Sequence, residues 1–143
     1  MPKHFEQRLL PFTPEQLFAL VANIESYPIF LPWCLKARVL ERRGNNLTAE
    51  MVVGTKALRE KFTSNVTLNK PKGISVHYRD GPLRHLSNEW RFAPGTDGGC
   101  EVTFTIDFGF RSSILGALMN AFFDKASRKM VSAFEARARE LYG

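Results

Sequence analysis

Residues 101–141 read EVTFTIDFGFRSSILGALMNAFFDKASRKMVSAFEARAREL. The first part alternates. Val102, Phe104, Ile106 and Phe108 fall on one side, and Glu101, Thr103, Thr105 and Asp107 on the other. That period of two is the mark of a half-buried antiparallel strand. The period then changes. Leu115, Leu118, Met119, Phe122, Phe123, Ala126, Met130, Phe134, Ala138 and Leu141 recur at three- and four-residue spacing, which is one face of a helix. Ser112 or Ser113 can cap it. About 29 residues at 1.5 Å each give roughly 43 Å, longer than a small domain is wide. The helix must therefore lie along a whole sheet, or bend, with Gly116 a weak point near its start.

Working back toward the N-terminus, turn residues separate further strand-like runs. Residues 35–43 stop at Gly44-Asn45-Asn46. Residues 47–55 alternate through Leu47, Ala49, Met51 and Val53. In 58–68, Leu58, Phe62, Val66 and Leu68 share a face with Glu60 and Ser64. Pro71-Lys72-Gly73 leads into 74–80, and Gly81-Pro82 into 83–93. At the start, residues 3–11 form a strand ended by Pro11. Thr13, Pro14 and Gln16 then make a helix N-terminus with a capping box. A short helix over 14–21 presents Leu17, Phe18, Leu20 and Val21, and residues 24–31 form a second short helix or turn. The order is strand, two short helices, six strands, long helix. The fold is α+β: a curved antiparallel sheet of about seven strands around the C-terminal helix, in a single domain over 1–143. Only that helix is long enough to cover the sheet's apolar face.

Composition narrows the function. The chain has 143 residues, 44% of them hydrophobic and 12 of them Phe, which serves either a Phe-rich core or an aromatic-lined cavity. No apolar run approaches the length of a membrane span, and residues 1–7 have no signal-like apolar core. Two cysteines, Cys34 and Cys100, make neither a disulfide framework nor a metal pattern, so a reduced, cytoplasmic setting is expected. The net charge of +6 is concentrated in residues 36–72, with Lys36, Arg38, Arg42, Arg43, Arg59 and Lys61 as its basic surface. Such a surface suits anionic lipid headgroups or RNA, or merely solubilises a strand face. No DNA contact is expected.

No catalytic set declares itself, so the chain is expected not to be an enzyme. His4, His77 and His85 lack metal-ligand spacing, and Cys34 reads as an inert buried thiol. His85 with Glu60 is the one acid–base pair that can be imagined. More informative is the near-complete apolarity of residues 114–123, where only Asn120 is plainly polar. A helix apolar on all sides is buried or faces something other than water. Polar groups also sit on apolar faces: Glu60 and Ser64 on one strand, Arg84 and Asn88 beside Leu86, Trp90 and Phe92 on another. Either they pair internally or lie at strand ends, or they orient a ligand headgroup in a cavity. Residues 27–34, Tyr-Pro-Ile-Phe-Leu-Pro-Trp-Cys, put large apolar side chains on a stiff, irregular backbone. The segment is a core plug, or a lip at a ligand entrance or membrane contact.

Several blocks together carry a family resemblance. They are Tyr27-Pro28-x-Phe30-Leu31-Pro32-Trp33-Cys34; Gly81-Pro82-Leu83 with Leu86 and Trp90; and Cys100-x-Val102-x-Phe104 through Asp107-Phe108-x-Phe110. Phe123, Met130-Val131-x-Ala133-Phe134-Glu135-x-Arg137-Ala138 and Leu141-Tyr142-Gly143 follow in order. The chain resembles the coenzyme Q-binding protein family, whose bacterial members are often called ribosome association toxins, within the START-like, polyketide cyclase-like superfamily. The resemblance implies a helix-grip fold with a hydrophobic tunnel between sheet and helix. It implies non-enzymatic binding of ubiquinone or a related lipid in support of respiratory electron transfer, with no cofactor required. The alternative it implies is binding to the large ribosomal subunit that blocks subunit joining. The expected tunnel residues are Tyr27, Phe30, Trp33, Phe62, Leu86, Trp90, Leu115, Leu118, Met119, Phe122 and Phe123, with headgroup contacts from Glu60, Ser64 and Asn88. The expected location is cytoplasmic, peripheral on the inner face of the membrane.

Overall fold

The alternating runs pair into one antiparallel sheet. The structure, a computed structural model, describes residues 3–55, 59–111 and 113–143. Side chains at 113–116 and 118–120 fall outside that description, as do Leu58 and Ser112. The strands are β1 (Lys3–Leu10), β2 (Cys34–Arg43), β3 (Asn46–Gly54), β4 (Arg59–Asn69), β5 (Gly73–Asp80), β6 (Leu83–Pro94) and β7 (Cys100–Phe110). The helices are α1 (Pro14–Ala22), α2 (Tyr27–Phe30) and α3 (Ser113–Tyr142). The sheet order is β1-β7-β6-β5-β4-β3-β2. From β2 to β7 every strand pairs with its successor, as short turns dictate. The exception is β1, which pairs with β7. The chain must therefore cross the whole width of the sheet between β1 and β2, and α1 and α2 make that crossing.

The expected capping box forms. The Gln16 N–H donates to Thr13 Oγ1 at 3.1 Å, and the Thr13 N–H donates to Gln16 Oε1 at 2.9 Å. Leu17, Phe18, Leu20 and Val21 are all buried below α1. Along β7, Val102, Phe104, Ile106 and Phe108 are buried as the alternation requires. On β6 one expectation is corrected. Arg84 shares parity with Leu86, yet it is exposed. A register shift between Leu83 and His85 inserts one extra residue, so Leu83 and Leu86 both point inward and Arg84 is turned out. At the β2 edge, Glu25 Oε2 accepts the Val39 N–H at 3.0 Å, which satisfies an edge donor.

The long helix packs on β7, β1, α1 and α2. Ala126, Val131, Phe134 and Ala138 form its buried stripe. Leu141, expected on that stripe, is 49% exposed because thirty helical residues outrun the strands. The last turn is tied down by Tyr142, whose hydroxyl donates to the Gln16 carbonyl at 3.1 Å. Phe134 joins the layers. Its ring lies 5.0 Å from Trp90, 5.0 Å from Phe30 and 5.3 Å from Tyr27, edge to face in each case. Phe134→Ala is expected to cost about 3–5 kcal/mol. Thr13→Ala, which removes only a cap, should cost about 1 kcal/mol. Urea unfolding of both variants checks the ranking.

Candidate functional site

Period-two alternation places one row of each strand on the concave side of the sheet, and α3 lies across that side. Between them is a cavity of about 110 Å³. Its floor includes Phe62, Ser64 and Val66 of β4, Leu86, Asn88 and Trp90 of β6, and Ile106 of β7. Its roof comes from α3 through Phe123, Ala126, Ser127, Met130 and Phe134. Val21, Ile24, Tyr27, Leu31 and Trp33 of the crossing segment form one wall. No charged side chain lines it among the described residues.

Three polar residues interrupt this surface. Asn88 Nδ2 donates to the Thr105 carbonyl at 2.9 Å, which fixes its amide. Ser127 is buried in the roof. Ser64 is buried, and its Oγ has no hydrogen-bond partner among the described residues. A buried hydroxyl left unpaired costs about 1–3 kcal/mol. Tyr27 contributes its ring rather than its hydroxyl, which donates to the Val21 carbonyl. Burial pushes that phenol well above its ordinary range.

Of the expected tunnel residues, Tyr27, Trp33, Phe62, Leu86, Trp90 and Phe123 surround this cavity, together with Ser64 and Asn88. Leu115, Leu118 and Met119 lie outside the described side chains. Phe30 stands outside the lining: it packs on Phe134 and carries the Arg137 guanidinium 5.7 Å above its ring. Phe122 packs against Phe123 at 5.7 Å and also stands outside. Glu60 is half-buried at the beginning of β4, beyond the lining, as the strand-end reading has it. Residues 27–34 divide between the interior and the surface. Tyr27, Leu31 and Trp33 wall the cavity, while Ile29 is 68% exposed. Met51 and Val76 also line the cavity; their strand parity would have found them. Ser127 has no such signal, since it flanks the apolar stripe of α3.

The basic residues divide between two faces. Lys36, Arg38, Arg43, Arg59 and Lys61 are exposed. Lys36, Val52 and Lys61 form one cross-strand row on the outer, convex face. In the next row Glu50 lies 3.3 Å from Arg38 and 4.0 Å from Lys61. Arg43 pairs with Glu41 at 2.5 Å. Arg42 is exposed as well, but on the other parity of β2. A register shift between Val39 and Glu41 sets it opposite inward-facing Leu47, beside a shallow hollow with Ala22, Glu25 and Val39. His85 pairs with Asp107, Nε2 to Oδ1 at 2.9 Å, on the outer face of the sheet, and not with Glu60. Cys34 and Cys100 are unpaired and buried. Burial raises the Cys34 thiol to about 12 and, with help from nearby Glu15 and Glu101, the Cys100 thiol to about 11.

A curved antiparallel sheet closed by one long helix over an apolar, uncharged cavity defines the helix-grip class. The chain belongs to the polyketide cyclase / dehydrase and lipid transport family, whose profile matches residues 10–135. Within it, the chain is 38% identical to the ribosome association toxin RatA of Rickettsia prowazekii, over 94% of each chain. It is 34% identical to the mitochondrial coenzyme Q-binding protein COQ10 homolog B of Xenopus laevis, over 99% of this chain and 59% of that one. The solution structure of the 18 kDa protein CC1736 from Caulobacter crescentus superimposes with a TM-score of 0.78 at 40% identity, over 100% of this chain and 99% of that one. These relatives agree with the resemblance carried by residues 27–34 and the later blocks. Among the described residues no helix is long and apolar enough to cross a membrane.

The thiols should be silent to Ellman's reagent at about pH 8 in the native protein and react once it unfolds. Both folded values lie above the ordinary thiol value of 9.0, so the unfolded chain releases these protons first. Stability is therefore expected to fall as pH rises from that value through the folded ones. Glu135 acts in the opposite sense. Burial opposes its ionisation, but hydrogen bonds from Arg139 and Arg8 outweigh that and hold its carboxyl below the usual range. Its contribution is present above the ordinary carboxylate value and lost as pH falls through the lowered one. Urea midpoints across pH test both slopes.

Proposed function

We propose that the chain encloses a hydrophobic ligand with a small neutral head, ubiquinone or a related lipid, and supports respiratory electron transfer by holding it without chemical turnover. The observation that carries this is the cavity itself: among the described residues it has apolar walls, no charge, and one buried hydroxyl with nothing to bond. Ligand sites are commonly apolar concavities with a few placed polar groups. A cavity of about 110 Å³ accommodates a ring but not a long isoprenoid tail. The head would therefore sit inside, with the tail outside the cavity or displacing side chains. The relative named for coenzyme Q binding supports the choice of ligand. Among the described residues the polar groups in the lining are hydroxyls, an amide and indole N–H groups, none of which titrates near neutrality, which suits holding rather than proton transfer. The convex row of Lys36 and Lys61 would dock the protein on an anionic membrane for loading and release.

The second reading is association with the large ribosomal subunit. It is favoured by the relatives named ribosome association toxin and by the same basic face. The two readings place function on opposite sides of the sheet, so they separate experimentally. Protein purified from its own host without detergent is expected to carry near-stoichiometric quinone by native mass spectrometry and organic extraction. Empty protein that also refuses added ubiquinone would overturn the first reading. Charge reversal at Lys36 and Lys61 together should leave quinone uptake intact. It should weaken association with anionic vesicles under the first reading, or co-sedimentation with ribosomes under the second, and the lost association should be steeply salt-dependent.

A further inference from the structure

Ser64 is 3% exposed, lines the cavity, and its Oγ has no partner among the described residues. A native fold seldom retains such a group without a use for it. The apolar neighbours Phe62 and Val66 on the same strand face show that a methyl-bearing side chain fits that face. The second polar group on the sheet is Asn88. Its Nδ2 gives one hydrogen to Thr105, which leaves the other N–H and the Oδ1. Sheet register fixes how far apart these residues are. Val66 pairs with Val76, and Val76 pairs with Asn88, so Asn88 and Val66 share one cross-strand row with β5 between them. Ser64 lies two residues from Val66 on the same face. With strands about 4.8 Å apart and residues about 3.3 Å apart, the two Cα atoms are roughly 12 Å from each other. A six-membered ring with oxygens at opposite corners spans about 5 Å, and a hydrogen bond of about 2.8 Å at each end extends this to roughly 11 Å.

We propose that Ser64 and Asn88 form a two-ended polar seat for a neutral ring with oxygen substituents at opposite corners. This seat makes the cavity select carbonyl- or hydroxyl-bearing ring lipids over hydrocarbons and over lipids with charged heads. The inference rests on the ligand-binding reading above and adds the residues that set specificity. A hydroxyl and an amide can each donate or accept, so the seat takes the carbonyls of an oxidised ring and the hydroxyls of a reduced one. A carboxylate or phosphate head finds no cation in the lining among the described residues, and a buried charge without a partner is strongly disfavoured.

The test measures decylubiquinone, decylbenzene and decanoate against the intact protein. Trp33 and Trp90 both line the cavity, so quenching of their fluorescence reports the quinone, and displacement reports the other two. Ser64→Ala is expected to melt no lower than the unmodified protein in the absence of ligand, because it removes an unpaired group. It should bind decylubiquinone about tenfold more weakly while holding decylbenzene unchanged. Asn88→Leu should lower the quinone-to-decylbenzene affinity ratio in the same way, and Ser64→Thr, which keeps the hydroxyl, should preserve it. Decanoate should compete poorly in every variant. An unchanged ratio in Ser64→Ala or Asn88→Leu, or decanoate binding as tightly as the quinone, would overturn the seat while leaving lipid binding intact. If the unmodified protein takes up none of the three probes, the ligand-binding reading fails, and the seat with it.

Discussion

Phe134 meets Trp90 of the sheet and both Tyr27 and Phe30 of the crossing segment. Sheet, crossing segment and long helix are thereby locked at one place. Ala138, one turn further on, has no exposed surface, so the helix lies hard down there. Toward its N-terminal half the roof residues are Met130, Ser127, Ala126 and Phe123, over a floor that includes Ser64 and Asn88. Small or flexible residues above small polar ones cannot fill the space that aromatic rings fill at Phe134. The cavity follows from that contrast, because close packing at one end of a rigid helix fixes its height along the rest.

The segregation of charge follows from the same constraint. The concave side is enclosed, so a charge there would need a partner. Lys36, Lys61 and their neighbour Glu50 instead occupy the solvated convex face, where ion pairs cost and contribute little. A partner that reads charge meets the convex face and never the cavity. A ligand that enters the cavity must leave charge behind. Buried Cys34 and Cys100 fit this division, since low-dielectric surroundings keep both thiols protonated and unreactive.

Much of this arrangement is legible in residue spacing. Alternation in 101–109 and the three-four spacing after Ser113 define β7 and α3, while which side of the sheet the helix covers is settled only by the fold. Ser64 and Asn88 stand out because each breaks an apolar row. Failures occur where one inserted residue resets the parity. The bulge before His85 turns Arg84 outward, and the shift after Val39 puts the exposed Arg42 on the parity of Leu47. Nothing in local composition marks either irregularity, since each is settled by pairing with a neighbouring strand. Phe30 and Phe122 show a different limit. Aromatic content says that a residue is buried, but whether it faces a void or another ring depends on the third dimension.

A cavity in the core and a buried hydroxyl without a partner among the described residues are both costly by the standards of folding alone. Each lowers stability, the first through lost dispersion contacts and the second through an unmet hydrogen bond. A sequence selected only for stability would fill the first with a larger side chain at Ala49 or Ala126 and replace the second with Ala. Both features occur at one site, and a single hydrophobic ligand with a polar edge would answer both. Binding then stabilises the folded state in proportion to occupancy, by about 2.7 kcal/mol at a free concentration one hundred times the dissociation constant. The cost of the void to folding and the room it offers a hydrophobic ligand therefore come from the same missing contacts.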